Sequence, residues 1–453
     1  MQLPIQSGVV SDKTGYATSY PVNLQHEVVE SGISKGQLVL TRGARALVEG
    51  PGRDRGGAVF RDVMYRVMGS TLCRLENDDT LTEIGNVGDD GRRAGFTQDF
   101  ERLAIRSGEH LFYWDEKTLT KVADFDLGKV LDAAWMDGYF VTTDGEFLVV
   151  TDLLDPTSVD ALRYGSAEAD PDPVVGVEVY REELYAFGRY TIQVFRNTGS
   201  SGFPFQTIRG ATVPYGCVSA DAKCRLGDTL AFVGGKRDEP VGVHILAQGS
   251  AQRISTPEID DIIARCDPAN IEVEERSFGD ERYLIVHLED CSIALSTRAS
   301  GQAGGGAWHI LHSGNFSAYR LRGAVFHRGR HIVGDLKSNA LGVLSFDSED
   351  HFDDTTHWRF EAGLAFNSGL GFIVREVELF GRFPPLNHTV FLSISRDGQG
   401  WSREIGRRLT GRSGERLQWR PNCRIAEQAG FRFRGSSRVA IASAQVKPEG
   451  LTI

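Results

Sequence analysis

The sequence predicts an all-β protein whose largest part is a β-propeller of about six or seven small blades. Three observations lead to this fold class: short strand–turn–strand units recur, glycine and aromatic residues are frequent, and helix signals are rare. The chain of 453 residues contains 52 glycines, 25 phenylalanines and 12 tyrosines. This composition suits many short strands joined by tight turns, because aromatic residues favour strands and glycine favours turns.

The clearest repeat unit lies between residues 174 and 195. Hydrophobicity alternates with period two along Val174–Tyr180, which predicts a first strand. A second strand, residues 184–187, follows a charged turn, and a third, residues 191–195, follows another turn. Three strands this close together form an antiparallel meander rather than a strand–helix–strand unit. Similar units, most of them starting roughly 40 to 55 residues apart, occupy residues 65–84, 103–122, 130–150, 224–245, 278–295 and 321–346. The shorter step from residue 103 to residue 130 suggests that these two units belong to one blade.

A closed ring of such units explains the pattern physically. One small meander cannot bury both of its faces, whereas neighbouring blades in a ring cover each other and leave only short edges exposed. We therefore expect a propeller over residues 58–347, preceded by an extended arm with the first strands over residues 1–57. From about Trp358 the alternating strands become longer, which predicts a separate antiparallel β-sandwich over residues 348–453.

Helix signals are concentrated in residues 256–266. Thr256 suits the N-cap, Pro257 suits the first helical position, and acidic residues fill the first turn. The glycine-rich residues 301–306 open no predicted helix and contain no lysine, so they are expected to form a flexible loop.

Catalytic and cofactor motifs are absent from the sequence. It has no phosphate-binding loop, zinc-protease motif or nucleophile elbow, and no long apolar run that would span a membrane. Three loose histidine pairs are present, and His327 and His331 would face each other across a hairpin, but a metal site needs a third ligand. We therefore expect no enzymatic activity, no metal and no cofactor. The other two pairs are His309 with His312 and His351 with His357.

A glycan-binding or sialidase-like glycosidase propeller remains the alternative. The segment Ser395-Arg396-Asp397-Gly398-Gln399-Gly400-Trp401 is similar to the Asp-box turn of sialidase propellers, with the tryptophan one position early. Such an enzyme needs an axial pocket lined by arginine, tyrosine and paired carboxylates. A propeller scaffold for cellular partners is a third possibility.

The charge of the chain is unevenly distributed. The net charge is −11, yet residues 396–438 contain eleven arginines and four acidic residues, a balance of +7 that leaves −18 for the rest. An acidic body repels nucleic acid phosphates. The basic segment is expected to contact an acidic partner instead, through Arg407, Arg408, Arg412 and Arg416, with solvated surface charge as the alternative.

Seven segments of the chain are informative when taken together: residues 20–24 (YPVNL), 65–72, 147–153, 175–195, 254–263, 391–398 and 430–433. In this order along the chain they resemble the packaged-DNA stabilisation proteins of short-tailed phages, also called tail hub or nozzle proteins. One departure is at residues 40–43, where the family tends to place a proline before the glycine.

The resemblance implies a structural protein without catalytic residues. Six copies would form a ring below the portal and its adaptor in the virion tail, after assembly in the host cytoplasm. The ring would continue the DNA channel without recognising the DNA, help to retain the packaged genome, and support a tail needle or plug and the tailspikes or fibres. No contact with a membrane is implied.

Overall fold

Small antiparallel sheets make up almost all of the protein in a computed structural model. It describes every residue except 4, 6–7, 13–14, 30–35, 154, 168–170, 248, 304–305, 366–369, 384–387, 397–399, 411–415 and 452–453. Strands account for most of the described chain, and they form a β-propeller and a two-sheet β-sandwich. The predicted fold class is therefore confirmed.

The described part of the propeller has seven blades, numbered here in chain order, and each is a meander of about four strands. Blade 1 consists of Asp54–Phe60, Val63–Met68, Thr71–Leu75 and Leu81–Asn86. Blade 2 consists of Gly95–Gln98, Leu103–Ser107, His110–Trp114 and Leu119–Lys121. Blade 3 consists of Asp132–Met136, Tyr139–Thr143, Phe147–Thr151 and Val159–Ser166. Blade 4 consists of Val174–Tyr180, Glu183–Gly188, Ile192–Asn197 and Phe205–Thr207. Blade 5 consists of Gly216–Cys217, Lys223–Leu226, Thr229–Gly235, Gly242–Ala247 and Ser250–Arg253.

Blades 6 and 7 complete the ring. Blade 6 consists of Glu272–Phe278, Glu281–His287, Ser292–Ser296 and Ala307–Leu311, and blade 7 contains Leu321–His327, Arg330–Asp335 and Ala340–Ser345. A small hairpin, Asp350–His351 and Asp354–Thr355, extends the sheet of blade 7.

The units that begin at residues 103 and 130 lie in two blades, not in one. Their short separation arises because Leu103 begins the second strand of blade 2, whereas residue 130 lies two residues before Asp132, which begins the first strand of blade 3. The distance between the two units was therefore measured from the second strand of one blade to the first strand of the next.

The ring closes through a strand from the N-terminal region. Gly43–Glu49 pairs antiparallel with Ala340–Ser345 and supplies the fourth strand of blade 7. The innermost strand of blade 7 packs on that of blade 1. Strands that precede residue 58 are thus part of the ring. The domain boundaries placed after residues 57 and 347 remain a prediction.

Apolar clusters join every pair of neighbouring blades. Met64 and Met68 of blade 1 pack with Ile332 and Leu341 of blade 7, across the point where the ring closes. Similar clusters lie between the other neighbours. Each blade face is therefore covered by the next blade, as the repeat pattern predicts.

The sandwich also combines strands from distant parts of the chain. One sheet contains Trp358–Ala365, Gln428–Gly435, Thr389–Ser395 and the edge strand Ile405–Arg408. The other contains Gln2–Leu3, Leu24–Val28, Gly36–Leu40, Ala440–Gly450, Phe372–Arg382, Leu417–Trp419 and Cys423–Ile425. Between the sheets, Trp358, Phe360, Trp419 and Phe433 are buried in one apolar core. A separate hairpin pairs Gly8–Asp12 with Gly15–Ser19.

Two residues fasten the sandwich to the propeller. Val22 N–H donates to Arg359 O at 2.7 Å in the sandwich, and Asn23 N–H donates to Ile310 O at 2.8 Å in blade 6. The buried Asn23 side chain donates to His357 O at 2.7 Å and accepts from His312 N–H at 2.8 Å. This segment lies within the residues expected to form an arm, and its hydrogen bonds go to both domains.

The predicted helix is confirmed as Pro257–Ile263, with Thr256 Oγ1 accepting from Ile259 N–H at 3.4 Å. The helix ends two residues before Arg265. A second helix, Thr297–Ala303, corrects the loop expected from residue 301. Ser296 Oγ accepts from Ala299 N–H at 3.3 Å and starts this helix. Short 3₁₀ turns occur at Phe125–Leu127 and Pro268–Asn270.

The helices found in the described residues are all too short or too polar to cross a membrane.

We predict that Gly43→Ala destabilises the closed ring. A Cβ at residue 43 would lie 2.4 Å from Asp350 O and 2.6 Å from Ser348 O, both on backbone that cannot move away cheaply. We expect a loss of about 1–3 kcal/mol in the free energy of unfolding, measured by urea denaturation. Gly202→Ala is the control, because a Cβ added there would meet no other atom within 4 Å. Equal unfolding midpoints for both variants would contradict the prediction.

Candidate functional site at the propeller axis

Buried ion pairs fill the centre of the propeller, where the innermost strands of the blades converge. Arg66 in blade 1 donates from Nε to Asp54 Oδ1 at 2.9 Å, and a second bond joins the same two side chains. Both side chains are almost completely buried. Arg66 also donates to Gly323 O of blade 7 at 2.8 Å, so this ion pair fastens the first blade to the last.

Two further ion pairs connect blades that are not neighbours. Arg106 of blade 2 donates to Asp221 at 2.7 Å, and Lys223 of blade 5 donates to Asp132 of blade 3 at 2.6 Å. Asp132 also accepts from Val177 N–H of blade 4 at 2.9 Å. Although burial lowers it, the carboxylate of Asp132 raises the pKa of Lys223 above its ordinary value. Lys223 is therefore charged and bound in place.

A third group of charges lies in blade 6. Arg276 donates to Glu274 Oε1 at 2.6 Å, to the Tyr319 hydroxyl at 3.0 Å and to Leu321 O of blade 7 at 2.7 Å. Although burial raises it, the charge of Arg276 holds the pKa of Glu274 well below its ordinary value. The carboxylate is thus kept ionised by its neighbours and is not poised to exchange a proton near neutral pH.

The axial cavity is small. Arginines and carboxylates line it, as a glycosidase would require, but no tyrosine does among the described residues. Its volume of about 40 Å³ admits a few water molecules and is far below the size of a sugar-binding pocket. Within the described part of the chain, no group of three histidine, cysteine, aspartate or glutamate side chains is arranged to hold a metal ion.

The predicted interface arginines do not share one environment. Arg407 and Arg408 lie on the exposed edge strand Ile405–Arg408, and neither has an ion-pair partner among the described residues. Arg416 instead forms an ion pair with Glu378 at 2.9 Å, which neutralises it. Arg412 lies outside the described residues.

An exposed acidic patch on blade 3 was missed by sequence reasoning. We call it the blade-3 rim, and it consists of Asp124, Phe125, Asp126, Asp144, Leu162 and Tyr164. The Tyr164 hydroxyl donates to Asp126 O, and partial burial together with the three carboxylates raises the pKa of Tyr164. Phe125 and Leu162 are 94% and 87% exposed. The only signal in the sequence was the acidic stretch from residue 144 to residue 172.

The carboxylates of the blade-3 rim have little local neutralisation. Asp124 and Asp144 accept backbone hydrogen bonds, for example from Phe147 N–H to Asp144 Oδ1 at 2.7 Å. Among the described residues, no arginine or lysine forms an ion pair with Asp124, Asp126 or Asp144. The rim therefore combines apolar exposure with uncompensated negative charge.

His327 and His331 do not face each other, contrary to the sequence expectation. In the hairpin register His327 is opposite Arg330 and His331 is opposite Phe326, which puts the two imidazoles on opposite faces. His331 packs between two phenylalanine rings, and His327 Nε2 lies 3.0 Å from Asp62 O. The remaining histidine pairs are likewise engaged in packing or hydrogen bonds.

Both parts of the chain match models of one protein family. Residues 1–349 match the family described as Bacteriophage P22 Gp10, beta-propeller, and residues 357–449 match Bacteriophage P22 Gp10, beta-sandwich. The chain is 26% identical to the tail hub protein gp10 of Salmonella phage P22, over 99% of each chain.

Solved structures with similar chain paths include other propellers. The WD40 domain of Neurospora crassa Pan2 is 9% identical with a TM-score of 0.42, over 69% of this chain and 98% of that chain. Virginiamycin B lyase from Staphylococcus aureus is 10% identical with a TM-score of 0.45, over 67% and 99%.

We predict that Asp54→Asn strongly destabilises the propeller. The substitution leaves the Arg66 guanidinium buried without its counter-charge, which costs about 3–5 kcal/mol. The double variant Asp54→Asn/Arg66→Met should recover part of this loss. As a control, Glu116→Gln removes the exposed pair with Arg61, and the cost should stay below about 1 kcal/mol. Urea denaturation measures all three, and a loss as small for Asp54→Asn as for the control would refute the prediction.

We also predict that stability falls as the pH drops from about 6.5 to about 4. Burial lowers the pKa of six histidines to about 3 or 4: His26, His244, His287, His309, His331 and His351. In this window the unfolded chain binds protons that the folded chain excludes, so the free energy of unfolding decreases with falling pH. Urea denaturation at several pH values measures the slope. His331→Phe should reduce that slope, and a flat profile between pH 7 and 5 would count against the prediction.

Proposed function

Because the chain belongs to the Bacteriophage P22 Gp10 family, we propose that it is a structural tail hub protein of a short-tailed phage. The observation that carries this proposal is the match of both domains to that family, together with identity to a tail hub protein over the whole chain. Its place would be the virion tail, after assembly in the host cytoplasm.

We propose further that six copies form a ring below the portal and its adaptor. The ring would continue the DNA channel, help to retain packaged DNA, and support a tail needle or plug and the tailspikes or fibres. The hydrogen-bonded connection between the two domains supports this role. A closed propeller is tied to the sandwich by the hydrogen bonds of Val22 and Asn23, so force is transmitted through backbone rather than through a loose linker.

The charge distribution supports a channel that DNA passes without being held. Outside the basic segment the chain carries −18, which repels phosphate over about a Debye length, roughly 8 Å at physiological salt. Many of the buried arginines, such as Arg66 and Arg276, are bound to carboxylates of the same chain and cannot reach DNA.

We propose no catalytic role. The axial carboxylates Asp54, Asp132 and Glu274 are each held by a buried cation. Such groups stabilise one geometry rather than transfer protons. Purified protein should therefore show no turnover of sialosides or other glycans.

The interface of the ring is proposed to include Arg407, Arg408, Arg412 and Arg416. Ile405 is 42% exposed beside Arg407 and Arg408, for whose guanidinium groups the described residues offer no ion-pair partner. The blade-3 rim offers the complementary combination of exposed apolar side chains and carboxylates that pair with no cation in the described part of the chain. Because the two surfaces lie on different domains, a contact between them in two copies is head-to-tail, and repetition of such a contact generates a ring when the rotation closes.

Assembly tests the proposed function directly. The full-length protein is mixed with candidate portal and adaptor proteins, its mass is measured by native mass spectrometry, and the complexes are imaged. We expect a six-copy ring that binds the adaptor. A protein that stays monomeric and binds neither the portal nor the adaptor would overturn the tail hub proposal.

We predict that Arg407→Glu/Arg408→Glu weakens self-association at least about tenfold, because it places like charges opposite the blade-3 rim. Sedimentation velocity over a range of concentrations measures the association. The matched control is Arg196→Glu/Arg209→Glu, which reverses two exposed arginines of blade 4 and its following loop. A copy with Asp126→Arg should restore binding to the reversed copy. If adaptor binding is lost while self-association is unchanged, the arginines contact the adaptor instead.

A further inference from the structure

A pocket lies where the ring closes, between the first two blades and the last two. Its walls come from residues 53–56 at the start of blade 1, residues 91–93 before blade 2, Glu272 of blade 6 and residues 322–323 and 334–336 of blade 7. We call it the seam pocket. It is the axial cavity of about 40 Å³ described above, and nothing in the tail hub role requires it to hold a ligand.

The charges of the seam pocket do not cancel. Three of them are neutralised by partners outside the pocket: Asp54 by Arg66, Asp335 by Arg320 and Arg55 by Asp90. The other charged groups of the lining are four guanidinium groups and one carboxylate: Arg53, Arg92, Arg93, Arg322 and Glu272. Of these, Arg93 is also compensated by Glu274 and Asp221, which lie outside the pocket. Positive charge is therefore in excess around a small, half-enclosed space.

The guanidinium group of Arg322 is incompletely satisfied. Its Nε atom is buried without a hydrogen-bond partner among the described residues, and its Nη1 atom lies 4.0 Å from Glu272, too far for a hydrogen bond. Only Nη2 is well bound, to Leu288 O at 2.6 Å. A buried guanidinium donor left unpaired costs free energy that an acceptor in the pocket would recover.

Repulsion between arginines adds to this deficit. Burial lowers the pKa of Arg322 against the opposing effects of Glu272 and Glu274, and the charge of Arg53 lowers it further. Burial also raises the pKa of Glu272, and that carboxylate is shared with Arg93. The carboxylate of Glu272 is thus shared between Arg93 and Arg322.

We propose that the seam pocket binds a small oxyanion of the size of inorganic phosphate or sulfate, held by Arg53 and Arg322. Guanidinium groups match the oxygen geometry of such ions and donate charge-assisted hydrogen bonds to them. The space excludes a nucleotide or a sugar. Because Arg53 belongs to the start of blade 1 and Arg322 to blade 7, the bound ion bridges the two blades that close the ring.

Thermal unfolding of the full-length protein tests the site. Sodium phosphate and sodium sulfate are titrated against sodium chloride at equal ionic strength. We expect phosphate and sulfate to raise the unfolding midpoint in a saturable manner beyond the effect of chloride. A short DNA duplex at equal phosphate concentration distinguishes the source of the phosphate groups, and we expect it to have no such effect.

Two variants localise the effect. Arg322→Gln and the exposed Arg53→Gln should each weaken phosphate binding at least tenfold in calorimetry, and Arg53→Gln serves if Arg322→Gln does not fold. Arg209→Gln, remote on the propeller, is the control and should bind like the original protein. A phosphate effect no larger than that of chloride, an equal effect in Arg53→Gln, or stabilisation by DNA alone would overturn the proposal.

Discussion

The pairing of Gly43–Glu49 with Ala340–Ser345 is the contact on which the propeller depends. Seven blades can cover each other only if the last one meets the first, and the strand that completes blade 7 comes from the segment just before blade 1. The apolar cluster of Met64, Met68, Ile332 and Leu341 and the ion pair of Arg66 with Asp54 both lie at this junction. Opening the junction exposes all of them together, so closure and axial charge are one cooperative unit.

Buried charges at the axis carry specificity rather than large net stability. Removing ions from water costs several kcal/mol each, and the attraction of a well-placed partner about repays that cost. A blade in the wrong order would leave Arg106 without Asp221, or Lys223 without Asp132, and the penalty would then be uncompensated. Such pairs penalise misassembled blade orders, which apolar contacts alone distinguish poorly because the blades resemble one another.

Local features of the fold could be predicted from the sequence, and distant ones could not. The alternating strand of Val174–Tyr180 and the capped helix that follows Thr256 can be recognised from residues that are adjacent in the sequence. The partner of Gly43–Glu49 lies almost 300 residues away, and no periodicity encodes it. The same holds for the candidate sites: the exposure of Arg407 follows from its charge, whereas the ion pair of Arg416 with Glu378 and the approach of Arg53 to Arg322 exist only after folding.

The early strands have a consequence for biosynthesis. Leu24–Val28 pairs with Gly36–Leu40, which in turn pairs with Ala440–Gly450, a strand that the ribosome makes much later. Gly43–Glu49 likewise cannot pair until Ala340–Ser345 has been synthesised. Neither domain can close before its late strand has been made, so a chain terminated before that strand keeps open strand edges that proteases and chaperones recognise.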